Sequence, residues 1–258
     1  MLGINETLLS KGYKLGLLVL GECGPAVKRA RVSGVSVYIR KFEPHSYKRL
    51  LEALSPKLLL TYYSIEGAKI CHGGLGIPFV QVIHSIYLWF DEPQLKAFQN
   101  SVSYTHTFIA VSQYSKTYSV KRLGVPEDKC IVIPNGINVQ RIREIACSAE
   151  RKTLRKKFRF IDNDFVFLSV AAINHPKNIM GLVRGFQKAL EFCPHAKLAL
   201  LGPIFSKSIF HELMSFIKRF NLKNKIFYLG ETDEAFEYYC MADSFVQTSF
   251  FEGDRLFY

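Results

Sequence analysis

The chain has 258 residues, 48% of them hydrophobic and 22% charged, enough to bury a sizeable core in one large domain or two smaller ones. No apolar stretch approaches the roughly 20 residues that a membrane-spanning helix needs, which argues against a transmembrane helix. A net charge of +12 calls for an anionic partner, either a phosphorylated small molecule, an anionic membrane surface or nucleic acid; nucleic acid is the weakest of these, because no RRM, zinc-finger or basic-zipper pattern occurs.

The opening segment "NETLLSKG" reads as a helix ahead of the first strand. Lys11 and Lys14 before a short apolar run loosely mimic a signal peptide. Asn5, Glu6 and the shortness of the run instead favour a helix-to-strand turn in a cytoplasmic protein. Apolar runs then recur between segments of helical periodicity: "YKLGLLVLG", "VSVYIRKF", "PKLLLTYY", "IPFVQVIHS", "HTFIAVSQ" and "CIVIPNGI". After the turn signal Pro134-Asn135-Gly136 come "FVFLSVAAI", "AKLALLGP", "KIFYLGE" and "DSFVQTS". Many are continuous Val/Ile/Leu/Phe runs, as expected of strands covered on both faces. The alternation of strand and helix predicts an α/β fold with parallel sheets, in two Rossmann-like lobes over residues 1–140 and 141–258. Both lobes read as incomplete: the first opens on a helix, where such a lobe normally begins with a strand and a glycine-rich turn, and the second stops at its fourth strand.

Six scattered cysteines with no C-x-x-C pair fit free thiols in a reducing compartment, and no zinc spacing is present. The basic run "RKTLRKKFRF" at 151–160 places Leu154 and Phe158 on an inward stripe, with Arg151, Lys152, Arg155 and Lys156 facing water. "DND" at Asp162 to Asp164 precedes a strand and reads as a turn. "HGGLG" at His72 to Gly76 resembles an esterase oxyanion loop, but no G-x-S-x-G elbow accompanies it. Nor does the chain carry a phosphate-binding G-x-x-x-x-G-K-[ST], a complete G-x-G-x-x-G or an H-E-x-x-H, so kinase, dehydrogenase and zinc-protease chemistry lack their anchors.

Ligands of open α/β sheets sit beyond the carboxyl ends of the strands, so four places stand out. His84 ends "IPFVQVIHS", either as a ligand or as a structural hydrogen-bonder. In "AAINHPKNIMGL" a helix is expected to begin near Pro176, with Asn174 as its cap and Lys177 in its first turn. There Lys177 is either a solvated lysine or a cation placed for a diphosphate. Gly202 ends "ALLGP", where a missing Cβ lets a backbone approach a ligand closely. Glu252, with Gly253 behind it, follows "DSFVQTSFF", as a surface glutamate or as an acceptor for sugar hydroxyls.

Taken in order, "FIAVSQYSKTYSVKRLGVPEDKCIVIPNGIN", "FLSVAAINHPKNIMGLVRGFQKALEFCPHAKLALLGP" and "KIFYLGETDEAFEYYCMADSFVQTSFFEG" resemble the retaining GT-B glycosyltransferases of family 4, over about residues 77 to 253. The resemblance implies two Rossmann-like domains facing a cleft, a nucleotide diphosphate sugar held mainly by the second, and a saccharide or lipid-linked acceptor held mainly by the first. It implies that Lys177 meets the donor diphosphate and that Asn174, Gly202 and Gly253 lie in the donor site. Glu252 then contacts the transferred sugar as the first acid of an E-x-x-x-x-x-x-x-E motif, His84 lies near the reacting sugar, and Asn135 with Gly136 forms the turn into the second domain. No bound metal is implied, because positive side chains and helix ends carry the leaving charge. The acceptor and the excess positive charge are compatible with peripheral contact at an anionic inner membrane face.

Three departures accompany this resemblance. Ala172 stands where the family often has an arginine, and Asn138 where it commonly has an aspartate. The second glutamate of the acidic motif would fall two positions past Tyr258. The chain therefore reads as a fragment truncated at both ends and inactive by itself, with a catalytically incompetent binding or scaffold module as the alternative.

Overall fold

The computed structural model describes residues 7–20, 24–62, 65–88, 90–148, 150–232 and 235–252. All ten of the apolar runs contain strands, and every strand pairing is parallel. The chain divides into two compact units, the first reaching to Ile137 and counting Glu252 with it, the second Asn138–Phe251.

In the first unit residues 7–10 are helical, and β1 (Gly16–Leu20) pairs with β2 (Ser36–Arg40) across α1 (Pro25–Val32). A four-stranded sheet follows in the order β3 (Leu59–Thr61), β4 (Phe79–Ile83), β5 (Thr107–Ala110), β6 (Cys130–Val132). Its helices are α2 (Pro44–Leu54), α3 (Ile65–Ile70), α4 (Glu92–Val102) and α5 (Gln113–Leu123). Local chemistry sets their starts: the Glu43 carboxylate accepts from His45 and Ser46 N–H, and Asp91 with Gln94 and Ser112 with Ser115 form reciprocal caps. Phe79 packs with Tyr47, Leu51 and Cys71, while Ile83 packs with Phe98, Phe108 and Leu123, so the two ends of one face of β4 anchor two cores. Described cysteines Cys71, Cys130, Cys193 and Cys240 are free thiols.

The second unit starts with α6 (Val139–Ser148) and α7 (Arg151–Lys157). Asn138 Oδ1 accepts from Arg141 N–H at 3.0 Å, so the asparagine at the aspartate position still caps α6. The sheet runs β10 (Ser244–Phe245), β7 (Phe165–Val170), β8 (Ala196–Leu201), β9 (Ile226–Tyr228). Helices α8 (Ile179–Ala189) and α9 (Lys207–Arg219) bury Val183, Phe186, Leu213 and Ile217 against Leu198 and Leu200. Val166, Leu168, Ala199 and Leu201 instead pack with Tyr238 and Met241 of α10 (Ala235–Met241). Apolar side chains thus leave both faces of each central strand, which is why these strands read as unbroken hydrophobic runs. Strand order reverses at β7, whose neighbours are β8 and β10; that reversal opens a crevice at the carboxyl ends of β7 and β10.

The basic α7 departs from expectation. Arg155 is only 4% exposed and does not face water, while Arg151 keeps an exposed side chain and is nonetheless bonded. The Arg155 guanidinium donates to the carbonyls of Met241, Ile161 and Asp164 and pairs with Asp243. Arg151 donates to the Cys240 and Ala242 carbonyls and pairs with Asp243 as well. A guanidinium has five donors in a rigid fork, and here those donors tie α7 to the end of α10 and to the turn before β7. That turn closes on itself, with Asp164 accepting from Ile161 N–H at 2.9 Å.

Candidate functional site

Parallel pairing of Ser244 with Phe167 and Phe245 with Leu168 sends two loops out of the same edge of the sheet, side by side. Residues 171–178 follow β7 and residues 246–252 follow β10, and the two loops are fastened together. Val246 N–H donates to Leu168 O at 2.9 Å, and Phe250 N–H donates to Pro176 O at 3.0 Å. Asn178 Nδ2 donates to Thr248 O and Thr248 Oγ1 donates to Asn178 O, each at 3.2 Å. The Phe250 ring lies 5.3 Å from His175.

Helix α8 begins at Ile179, three residues beyond Pro176, and its cap is Asn178 in place of the expected Asn174. Asn178 adopts the left-handed conformation (φ 50°, ψ 43°), which asparagine tolerates better than most residues. Its Oδ1 accepts from Gly181 N–H at 3.2 Å. A Cβ at Gly181 would stand 2.5 Å from that amide, so the cap needs glycine there. Asn174 instead shapes the preceding turn, where its Oδ1 accepts from Lys177 N–H at 3.3 Å and closes the chain that presents the half-buried Lys177.

Gly202 meets a backbone closely, and that backbone is the protein's own. At φ 146°, a Cβ would stand 2.3 Å from Ala171 O and 2.7 Å from Ala171 C. Ala171 N–H donates to Leu201 O at 2.9 Å and Ile173 N–H to Pro203 O at 2.8 Å, so the chain is held on either side of Ala172, the arginine position. Glu252 is half-buried. Strand β10 ends at Phe245, so Glu252 comes seven residues after the strand and not directly behind it. Gly253 lies outside the described residues.

In the first unit His84 is exposed, one residue after β4, and stacks on Tyr62, one residue after β3, with ring centroids 4.9 Å apart and planes 16° apart. Burial pushes the Tyr62 hydroxyl above its ordinary pKa, so the ring stays neutral. Tyr62 had no signal of its own in the sequence, since only the strand register makes it a neighbour of His84.

An apolar cavity of about 260 Å³, lined by Phe167, Leu182, Gly185, Phe186, Leu198 and Val246, borders Gly181 and Thr248. Lys177 does not line it, and such a lining suits side-chain packing better than a diphosphate. Among the described residues no three His, Cys, Asp or Glu side chains cluster to hold a metal ion, and no helix is long and apolar enough to cross a membrane.

Residues 6–141 match the model of Glycosyltransferase Family 4 and residues 150–253 that of Glycosyl transferases group 1. An uncharacterized glycosyltransferase of Methanocaldococcus jannaschii is 27% identical over 158 residues, 61% of this chain and 37% of that protein. The N-acetylgalactosamine-N,N'-diacetylbacillosaminyl-diphospho-undecaprenol 4-alpha-N-acetylgalactosaminyltransferase of Campylobacter jejuni is 28% identical over 134 residues, 52% of this chain and 32% of that protein. The chain thus matches about a third of the length of these two relatives. The crystal structure of Anabaena Alr3699/HepE in complex with UDP and glucose superposes with a TM-score of 0.80 at 18% identity, covering 95% of this chain and 70% of that one.

Proposed function

The chain belongs to glycosyltransferase family 4, a GT-B glycosyltransferase in fold, and from that membership we propose that it moves a hexose from a nucleotide diphosphate sugar to a saccharide or lipid-linked acceptor with retention of anomeric configuration. The observation that carries this reading is the fastening of the 171–178 and 246–252 loops at the strand-order reversal, where ligands of open α/β sheets bind. It sets Lys177 beside the amino terminus of α8, and an ammonium next to helix N–H groups stabilises a leaving diphosphate without a metal. Glu252 is assigned hydrogen bonds from the hydroxyls of the transferred sugar. Such bonds gain most where water is excluded and an unpaired hydroxyl is costly. His84, ordered by the Tyr62 ring, is assigned to the reacting sugar on the acceptor side.

UDP in the Anabaena complex supports a nucleotide donor, and the diphospho-undecaprenol named in the Campylobacter enzyme supports a lipid-linked acceptor. The charge of +12 supports peripheral contact with an anionic membrane; co-sedimentation with vesicles that ignored their anionic lipid content would remove that part. The donor assignment is tested by titrating UDP, GDP and ADP into the protein and its Lys177→Ala variant by calorimetry. Loss of one charge-assisted contact is expected to weaken whichever nucleotide binds by about tenfold or more. Equal affinity in the two proteins would overturn the assignment. A second reading, a binding module without turnover, is favoured by Ala172; release of free hexose from the donor by the wild-type chain would exclude it.

A further inference from the structure

The family reading assigns Lys177 and Glu252 to two different parts of one donor and leaves unexplained what keeps the two in register. They sit on separate loops, 75 residues apart in sequence, so no local geometry relates them. We infer that Asn178 and Thr248 form a clasp that positions the Glu252 segment relative to the Lys177 turn, so that the pair determines recognition of the sugar and not of the nucleotide. The inference rests on the donor reading above.

The clasp is specific to its two side chains. Asn178 uses every group it has: Oδ1 holds Gly181 N–H, Nδ2 holds Thr248 O, and its carbonyl accepts both the Leu182 N–H that opens α8 and Thr248 Oγ1. Asparagine combines a tolerated left-handed backbone with an acceptor and a donor on one short side chain. Aspartate would lose the donor and set a carboxylate against the Thr248 carbonyl; glycine would keep the backbone and lose both bonds. From Thr248 the chain needs two residues to reach Phe250, where the bond to Pro176 O fixes it again, and two more to reach Glu252. Two residues span about 7 Å at most, so Glu252 stays within that reach of Phe250. The Lys177 turn is anchored separately by Asn174, and Lys177 is covalently next to Asn178. The clasp therefore constrains the acidic segment more than the lysine.

That asymmetry makes the test. Thr248→Val removes the Oγ1 donor while keeping the β-branched shape and the backbone acceptor, and Thr248→Ser keeps the hydroxyl. In calorimetry on the full chain, the nucleoside diphosphate found to bind in the panel above is compared with its own hexose conjugate. Thr248→Val is expected to weaken the conjugate about tenfold and leave the bare diphosphate within twofold, and Thr248→Ser to return to wild-type values. Equal losses for diphosphate and conjugate, or no loss for either, overturn the clasp while Lys177→Ala still weakens the diphosphate. If Lys177→Ala also leaves diphosphate binding unchanged, the donor reading falls and the clasp assignment falls with it.

Discussion

At the amino-terminal edge of the β10-β7-β8-β9 sheet the fastening is ionic. Arg151 and Arg155 converge on Asp243, whose carboxylate also accepts from Val166 N–H at 2.7 Å, and Lys197 stands 3.6 Å from Asp164. At the carboxyl edge the fastening is neutral. An asparagine, a threonine and backbone amides lace two loops together, and glycine at 202 lets strand ends pass almost in contact. Charges that are paired internally hold the sheet at one end, and at the other the loops are held by groups that add no charge of their own. An edge built that way leaves the field near the turn to Lys177 and the α8 terminus, with Glu252 as the charge on the other loop.

Breaking the neutral edge at its tightest point has the largest expected effect. Gly202→Ala drives a Cβ into the Ala171 carbonyl on a backbone that side chains rarely adopt, and is expected to cost about 3 kcal/mol or more in chemical denaturation. Next is the ionic edge. Asp243→Ala leaves the buried Arg155 without its carboxylate, at about 3 kcal/mol near neutral pH. Burial alone would raise the Asp243 pKa, but the Val166 N–H, Arg151 and Arg155 outweigh it and hold the carboxyl below its ordinary value. A depressed folded value means the stability is complete above the unfolded value near 4 and is lost as pH falls through the folded one. Wild type and variant should therefore begin to converge in urea midpoints below about pH 4 and meet once the pH lies below the folded value. A gap that persisted there would assign the effect to packing instead. The smallest effects come from one helix. Gly181→Ala collides with the Asn178 amide and should destabilise by about 1 kcal/mol. Gly185→Ala, one turn on with nothing within 4 Å, should stabilise by about 0.5–1 kcal/mol.

Strands were the easiest elements to read, because continuous apolar runs in this chain have no competing explanation once both sheet faces are covered. Helix starts were harder. Asn174 and Asn178 carry the same side chain within one loop, and only the left-handed backbone at 178 decides which of them caps α8. Helical periodicity placed Leu154 and Phe158 inward correctly but misassigned Arg155, since a long guanidinium can bury its stem and still satisfy its donors on carbonyls far along the chain. Candidate residues after strands were picked from position alone. Their neighbours Tyr62 and Thr248 were not, because stacking and clasping depend on which loops the register brings together.

The contact between Gly202 and Ala171 bears on how mutations in this chain will be tolerated. Every missense change that a single base can make in a glycine codon installs a Cβ, and the first carbon already occupies the forbidden space. A saturation scan at 202 should therefore show an on-off profile, alanine scoring close to tryptophan, with no gradation by size or charge. Loss at Lys177 should instead be graded, with arginine retaining part of the signal. The shape of the tolerance curve at each position then separates loss through misfolding from loss through chemistry, without purifying a single variant.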